Sequence, residues 1–301
     1  MKGAATLNAI LKILSHYIIA FVFIACSGAT GDANRLHGTQ NLQQTCQQLP
    51  SAIEINGETY KLGNPLGSGS YGVVYGIETI EGNISNDYVV KLIKATSQQE
   101  ARDEGMMEVQ LAQLLNRSSE KLATNTTLNK IIRFLFRGRN FHAPILIKDR
   151  VIGHTAYDLM RSPLLVRDMG TTYQKAYESF LKFEEALIKT LAELSDEDKF
   201  IADLHRKNIM FDGEKWHIVD GFVLSNKKAM VDYLQDSYET IFDTDVKLKV
   251  SFNTIKNSND AERKSLPFEV KQRIFRNIFD TENQQLKSSL EEAASRRHAS
   301  F

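Results

Sequence analysis

GNPLGSGSYGVVYGIETIEGNISNDYVVKLIK, residues 63–94, is the stretch whose reading decides the fold. Gly67, Gly69 and Gly72 form a G-x-G-x-x-G string, a pattern that joins a strand to a helix in one setting and two antiparallel strands in another. The flanks choose between them. Upstream, ETYKLGNPLG alternates in the manner of a strand; downstream, YGVVYGIETI is rich in Val, Ile and Tyr, EGNISND reads as a turn, and YVVKLIK reads as another strand. No helical pattern follows the glycines, so the string is read as the tip of an antiparallel pair. Its bland alternative is a flexible glycine-rich hairpin, to be weighed against residues further along the chain.

The first of these is Lys91, nineteen residues past Gly72 and set between apolar neighbours in YVVKLIK. A lysine on a half-buried strand is costly to desolvate unless an anion meets it. One source of that anion is the next segment, QQEARDEGMMEVQLAQLLN, whose spacing predicts a helix with Met107, Leu111, Leu114 and Leu115 on one broad face. Glu108 lies at the edge of that face and Glu104 one turn earlier, so Glu108 is the expected partner and Glu104 the competitor. The plainer reading lets Lys91 reach solvent and leaves both glutamates solvating the helix.

The second cluster lies in KFIADLHRKNIMFDGEKWHIVDGF, residues 199–222. Asp203 is followed five residues later by Asn208 and twelve residues after that by Asp220. NIMF, the turn DGEK and WHIVD read as a β-hairpin that returns Asp220 to Asn208. The two would then offer oxygen ligands to a hard cation, for which Mg²⁺ completed by phosphate oxygens is the natural choice. Asp203 would accept or orient the proton of an attacking hydroxyl.

Together, in this order and at nearly this spacing, these features resemble the protein-kinase-like superfamily over roughly residues 55 to 225. The resemblance implies an α+β, bilobal fold with an antiparallel-sheet N-lobe and a reduced helical C-lobe, and ATP-dependent phosphoryl transfer. It implies that Gly67, Ser68, Gly69, Ser70, Tyr71 and Gly72 cover the phosphates of ATP, and that Lys91 holds the α- and β-phosphates. Glu108 would orient Lys91, Asp203 would be the catalytic base, and Asn208 with Asp220 would bind Mg²⁺. LLVRDMG, Leu164 to Gly170, resembles the strand and hinge that meet the adenine.

Departures from the family pattern narrow the expectation. Ile201 and Ala202 stand where ordinary protein kinases place His or Tyr and then Arg, so a phosphorylated activation loop has no local cation to dock on. The metal motif reads Asp220-Gly221-Phe222, and no Ala-Pro-Glu segment follows. Such a compact C-lobe resembles the small effector kinases that bacteria deliver into host cells, including those that phosphorylate a host chaperone or engage the ubiquitin system. ADLHRKN is also similar to the Asp-Leu-His segment of small-molecule kinases such as aminoglycoside and choline phosphotransferases, a view that brings His205 into the site; otherwise His205 packs the loop. The serine- and tyrosine-bearing glycine loop favours a protein kinase. A third alternative, a pseudokinase scaffold, conflicts with the presence of the lysine, base, asparagine and metal aspartate.

Composition sets outer limits. With 301 residues, 42% hydrophobic, the chain can bury the core of one medium domain or two lobes. Thirty-seven basic residues balance thirty-seven acidic ones, so no global field recruits nucleic acid or an anionic membrane. At the N-terminus, Lys2 and Lys12 precede YIIAFVFIAC, an apolar run about the length of a signal-peptide core and about half of what a membrane span needs, with a signal anchor or a plain apolar helix as the alternative. Residues 1–26 are expected to be a signal peptide ending at a lipoprotein-like box at Cys26, and polar residues 27–50 a linker. The kinase-like domain would occupy 51–301, with its N-lobe over about 51–168 and its C-lobe over about 169–301. Cys46 is the one other cysteine, so no intramolecular disulfide framework is expected once Cys26 is removed or acylated. The whole sequence therefore reads as a secreted Ser/Thr protein kinase using ATP and Mg²⁺ on a host or partner protein. Its membrane contact would be limited to the N-terminal signal or a lipid on Cys26.

Overall fold

The structure, a computed structural model, describes residues 52–68, 72–136, 139–242 and 244–295. The signal-peptide and linker readings, the lipidation of Cys26, and Gly69, Ser70 and Tyr71 of the glycine string lie outside the described residues. Among the described residues no helix is long and apolar enough to cross a membrane.

The chain divides into two compact units, one running up to Val109 and including Thr126–Arg150, the other made of Gln110–Asn125 and the chain from Val151 onward. The division after the sheet therefore falls at 150/151, earlier than the expected 168. The first unit is an antiparallel sheet in the order β1-β2-β3-β4-β6-β5, built from β1 (Ile53–Ile55), β2 (Glu58–Ser68), β3 (Gly72–Thr79), β4 (Ile84–Ile93), β5 (Thr126–Phe136) and β6 (Arg139–Asp149). The glycine string does join two antiparallel strands, with Ser68 paired to Val73.

Side chains alternate between the two faces of a strand, and that alternation sorts this sheet. Val73, Tyr75 and Ile77 of β3, Val90 and Leu92 of β4, and Ile145 and Ile147 of β6 are all buried in one cluster. Lys91 and Lys148 belong to the opposite face, because Lys91 pairs with Leu146 and Val89 with Lys148. Against that face comes α1 (Gln98–Leu115), the helix predicted from its periodicity. Lys91 stands on the fourth strand in chain order, because Ile53–Ile55 adds a strand ahead of the glycine hairpin.

The second unit is mostly helical. After β7 (His154–Thr155) come α2 (Ala156–Arg161), α3 (Leu165–Asp168), α4 (Tyr173–Asp196), β8 (Phe200–Ala202), β9 (Ile209–Phe211), β10 (Trp216–Ile218) and β11 (Phe222–Leu224). Then follow α5 (Lys227–Tyr238), α6 (Val246–Asn257), α7 (Asp260–Ser265) and α8 (Phe268–Ser295). Thr172 caps α4 by accepting from the Lys175 N–H, and the helix buries Phe180, Leu187, Ile188 and Leu191 against α8. Phe180 anchors the interior, stacked on Phe279 with centroids 6.2 Å apart and edge-on to Trp216 at 5.0 Å.

LLVRDMG is not a strand and hinge. Residues 165–168 form the short helix α3, with Val166 fully buried. Ser162 and Pro163 start the turn, their carbonyls accepting from the N–H groups of Leu165 and Val166. The strand ahead of the second unit is instead β6, which ends at Asp149.

Candidate active site

Each unit brings together one part of the predicted constellation. In the first, Lys91 Nζ lies 2.5 Å from Glu108 Oε1, with both residues buried. Glu108, not Glu104, is therefore the partner, as its position beside the apolar face of α1 predicts. A second lysine shares the carboxylate: Lys148 Nζ donates to Glu108 Oε2 at 2.9 Å, and it too is buried. The two oxygens of one carboxylate thus hold ammonium groups from adjacent strands. Sequence reasoning missed Lys148, although ILIKD places it among apolar residues by the same signal that singled out Lys91.

Gly67 and Ser68 end β2 and are exposed, while Gly72 opens β3. Gly72 has a packing reason of its own. A Cβ there would lie 2.3 Å from the Leu92 carbonyl oxygen, so the pairing of β3 with β4 alone demands glycine.

In the second unit, β8 and β11 pair antiparallel with Ala202 opposite Phe222, which sets Asp203 and Gly221 at facing strand ends. The β9/β10 hairpin forms as predicted, and the Val219 N–H donates to the Asn208 carbonyl at 2.9 Å, returning Asp220 to the loop that carries Asn208. Gly221 adopts φ +151°, a region that favours glycine, and a Cβ would meet the Ala202 carbonyl oxygen at 3.1 Å. That geometry explains the order Asp-Gly-Phe. Phe222 then packs edge-on against Tyr233, centroids 5.6 Å apart.

Asp203 is the most constrained residue here. It has φ +65°, unusual for a residue bearing a Cβ and costing on the order of 1–3 kcal/mol, so its surroundings must hold it there. Its N–H donates to Tyr233 Oη at 3.0 Å, and its carbonyl and Oδ2 both accept from Asn208 Nδ2 at 2.9 Å. His205 Nε2 lies 3.2 Å from Asp203 Oδ1. Because the Lys207 N–H donates to His205 Nδ1, the neutral ring carries its proton on Nε2 and donates it to Asp203. His205 is thus a partner of the candidate base, more than a packing residue. From the last helix, Asn283 Nδ2 donates to the Leu204 carbonyl at 3.2 Å, and its buried Oδ1 accepts no hydrogen bond among the described residues. Burial pushes the Asp203 carboxyl above the usual aspartate range. His205 opposes that rise, Asp220 adds to it, the Asn208 bond opposes it, and Glu282 adds to it.

The donor chemistry at the hairpin fits a hard cation. Asn208 spends its amide hydrogens on Asp203, which leaves its carbonyl oxygen as a ligand, and Asp220 contributes a carboxylate whose Oδ1 also accepts from the Gly221 N–H at 2.8 Å. Where protein kinases have arginine, Ala202 is 4% exposed, so a long cation would not fit without displacing its neighbours.

No protein-family model matches the chain, and no curated protein matches it. Among solved structures the chain is similar to vaccinia related kinase 3, at 13% identity and a TM-score of 0.38, over 62% of this chain and 56% of that one. It is also similar to the ROP18 kinase domain in complex with AMP-PNP and sucrose, at 12% identity and a TM-score of 0.39, over 89% of this chain and 95% of that one. The chain thus spans little more than half the length of the first. Its own elements define the class: an antiparallel-sheet unit whose strand lysine pairs with a helix glutamate, and a helical unit carrying the Asp203 loop and the β9/β10 hairpin. This is a protein-kinase-like fold.

Proposed function

We propose that the protein is an ATP-dependent phosphotransferase, a protein kinase acting on serine or threonine hydroxyls. The observation that carries this reading is the Asp203 loop. A carboxylate in a strained backbone conformation, held on both oxygens by Asn208 and His205, suits a group kept ready for one proton. In this reading Lys91, oriented by Glu108, binds the α- and β-phosphates. The substrate hydroxyl oxygen bonds to the γ-phosphorus as the bond from γ-phosphorus to the β,γ-bridging oxygen breaks. ADP leaves with that electron pair, and the hydroxyl proton passes to Asp203. Asn208 and Asp220 would hold Mg²⁺, whose charge neutralises the phosphates.

A second reading, transfer to a small-molecule alcohol, is favoured by the contact of His205 with Asp203, since that histidine belongs to the Asp-Leu-His resemblance. One experiment separates them. The protein is incubated with labelled ATP and Mg²⁺ in a host-cell lysate, and separately with small alcohols and aminoglycosides. Labelled protein is the expected outcome, reduced roughly 10²- to 10⁴-fold in Asp203→Ala with Mg-ATP affinity retained, whereas Asp220→Ala weakens Mg-ATP binding itself. Transfer to small molecules alone would replace the protein-kinase reading, and Mg-ATP binding without any transfer would replace it with a scaffold.

Export belongs to the same proposal: removal of residues 1–26 and delivery into a host cell, where a chaperone or ubiquitin-system component is a fitting substrate, or retention by a lipid on Cys26. N-terminal sequencing of secreted material that returned intact Met1 would remove the signal-peptide part.

A further inference from the structure

Three cations converge on one aromatic ring beside the candidate base. Arg161 Cζ lies 5.5 Å, Arg206 Cζ 5.9 Å and Lys207 Nζ 5.2 Å from the centroid of Tyr157. Two of them, Arg206 and Lys207, occupy the loop between Asp203 and Asn208, and the third ends α2. The Tyr157 N–H donates to the Arg206 carbonyl at 3.0 Å and ties the helix to the loop, while Arg206 Nη1 is fixed by Gln285 Oε1 at 2.7 Å. The ring and its charges are therefore held by the fold.

Like charges gathered this closely repel one another, and cation–π attraction at partly exposed sites offsets only about 0.5–1 kcal/mol apiece. The nearest acid in sequence, Asp158, is occupied at the start of its own helix, where Thr155 Oγ1 donates to it at 2.5 Å. Among the described residues, none of the three cations forms an ion pair with a carboxylate. Arg161 and Lys207 are exposed, so the charge is open to a ligand.

We propose that Arg161, Arg206 and Lys207 around Tyr157 form a docking surface for acidic side chains flanking the hydroxyl of the protein substrate. The inference rests on the kinase reading and adds a substrate class to it. Guanidinium forks pair with carboxylates in two-point contacts, and a cluster of three cations on an electrically balanced chain matches two or three Asp or Glu side chains better than an extended polyanion. Because two of the cations belong to the loop of the base, an acidic segment bound there would hold its hydroxyl close to Asp203.

The test is fluorescence anisotropy with the full chain and two labelled peptides of equal length, one with serine flanked by glutamates and the other with the glutamates replaced by lysines. The wild type should bind the acidic peptide at least roughly tenfold more tightly than the basic one, with the difference shrinking as salt is added. Arg161→Glu with Lys207→Glu, both at exposed positions, should remove that preference while circular dichroism stays unchanged. In transfer assays it should raise KM for the acidic peptide and spare kcat. Binding indifferent to peptide charge or to charge reversal would overturn the docking surface even if lysate proteins are phosphorylated. So would displacement of the peptide by Mg-ATP, or tighter binding to phosphatidylserine vesicles or to RNA. Charge-selective binding with no transfer to any acceptor would uphold the surface and overturn the kinase reading.

Discussion

The shared carboxylate of Glu108 gives an asymmetric prediction. At the observed separations of 2.5 and 2.9 Å and an effective dielectric of about 20, each ammonium attracts the carboxylate by roughly 6 kcal/mol. Desolvation of several kcal/mol per ion and repulsion between the lysines offset most of this. Glu108→Gln removes both attractions and leaves both repulsive and desolvation costs, so it should destabilise the sheet unit by about 3–5 kcal/mol. Lys148→Met removes one attraction together with one desolvation cost and the repulsion, and keeps the Lys91–Glu108 pair; its cost should stay below about 2 kcal/mol. Trp216, the one tryptophan, belongs to the other unit, so its fluorescence is a poor probe here. Amide hydrogen exchange, followed by mass spectrometry over residues 84–93 and 98–109, reads the opening free energy of this unit directly. A Lys148→Met effect equal to or greater than that of Glu108→Gln would refute the assignment of Glu108 as the hub.

Gly72→Ala should destabilise the sheet unit, since its Cβ would lie 2.3 Å from backbone oxygen, whereas Gly67→Ala, with nothing within 4 Å, should be tolerated; exchange over residues 84–93 distinguishes them. Tyr233→Phe orphans the Asp203 N–H, a loss of about 1–3 kcal/mol felt at a strained residue, and should speed exchange of that amide and lower kcat more than it raises KM. If Asp203 takes the hydroxyl proton, turnover should fall with decreasing pH at values above those of an ordinary aspartate, because the carboxyl must be ionised and burial raises its pKa. Glu282→Gln removes a neighbouring negative charge and should move that acid limb to lower pH; an unmoved limb counts against Asp203 as its source.

Much of the fold was legible because short-range signals and burial agreed. The Val-, Ile- and Tyr-rich run read as a strand buries Val73, Tyr75 and Ile77, and the face of α1 with Leu111, Leu114 and Leu115 is buried as well. The pairing of Glu108 with Lys91 followed from helical spacing alone. The strand Ile53–Ile55 was missed although Asn56-Gly57, a pair favoured in two-residue hairpins, announces it. LLVRDMG misled because a short apolar run carries no period that separates a strand from a helical turn, and the turn that starts at Ser162 and Pro163 decided it. Tyr233 and Asn283 had no local signal at all. Their roles arise from contacts 30 and 79 residues away in sequence.

Those distant contacts hold the loop of the candidate base, which lacks the arginine found in ordinary protein kinases. That arginine would have to emerge where Ala202 is buried. Here the loop is fixed from its backbone instead: Tyr233 accepts the Asp203 N–H and Asn283 donates to the Leu204 carbonyl. Asn208 joins the Asp203 carbonyl to its own carboxylate. The strained φ of Asp203 is thus supported by hydrogen bonds from α5 and α8. Two of the helices that follow the β9/β10 hairpin, α5 and α8, thus hold the loop of the candidate base from outside it.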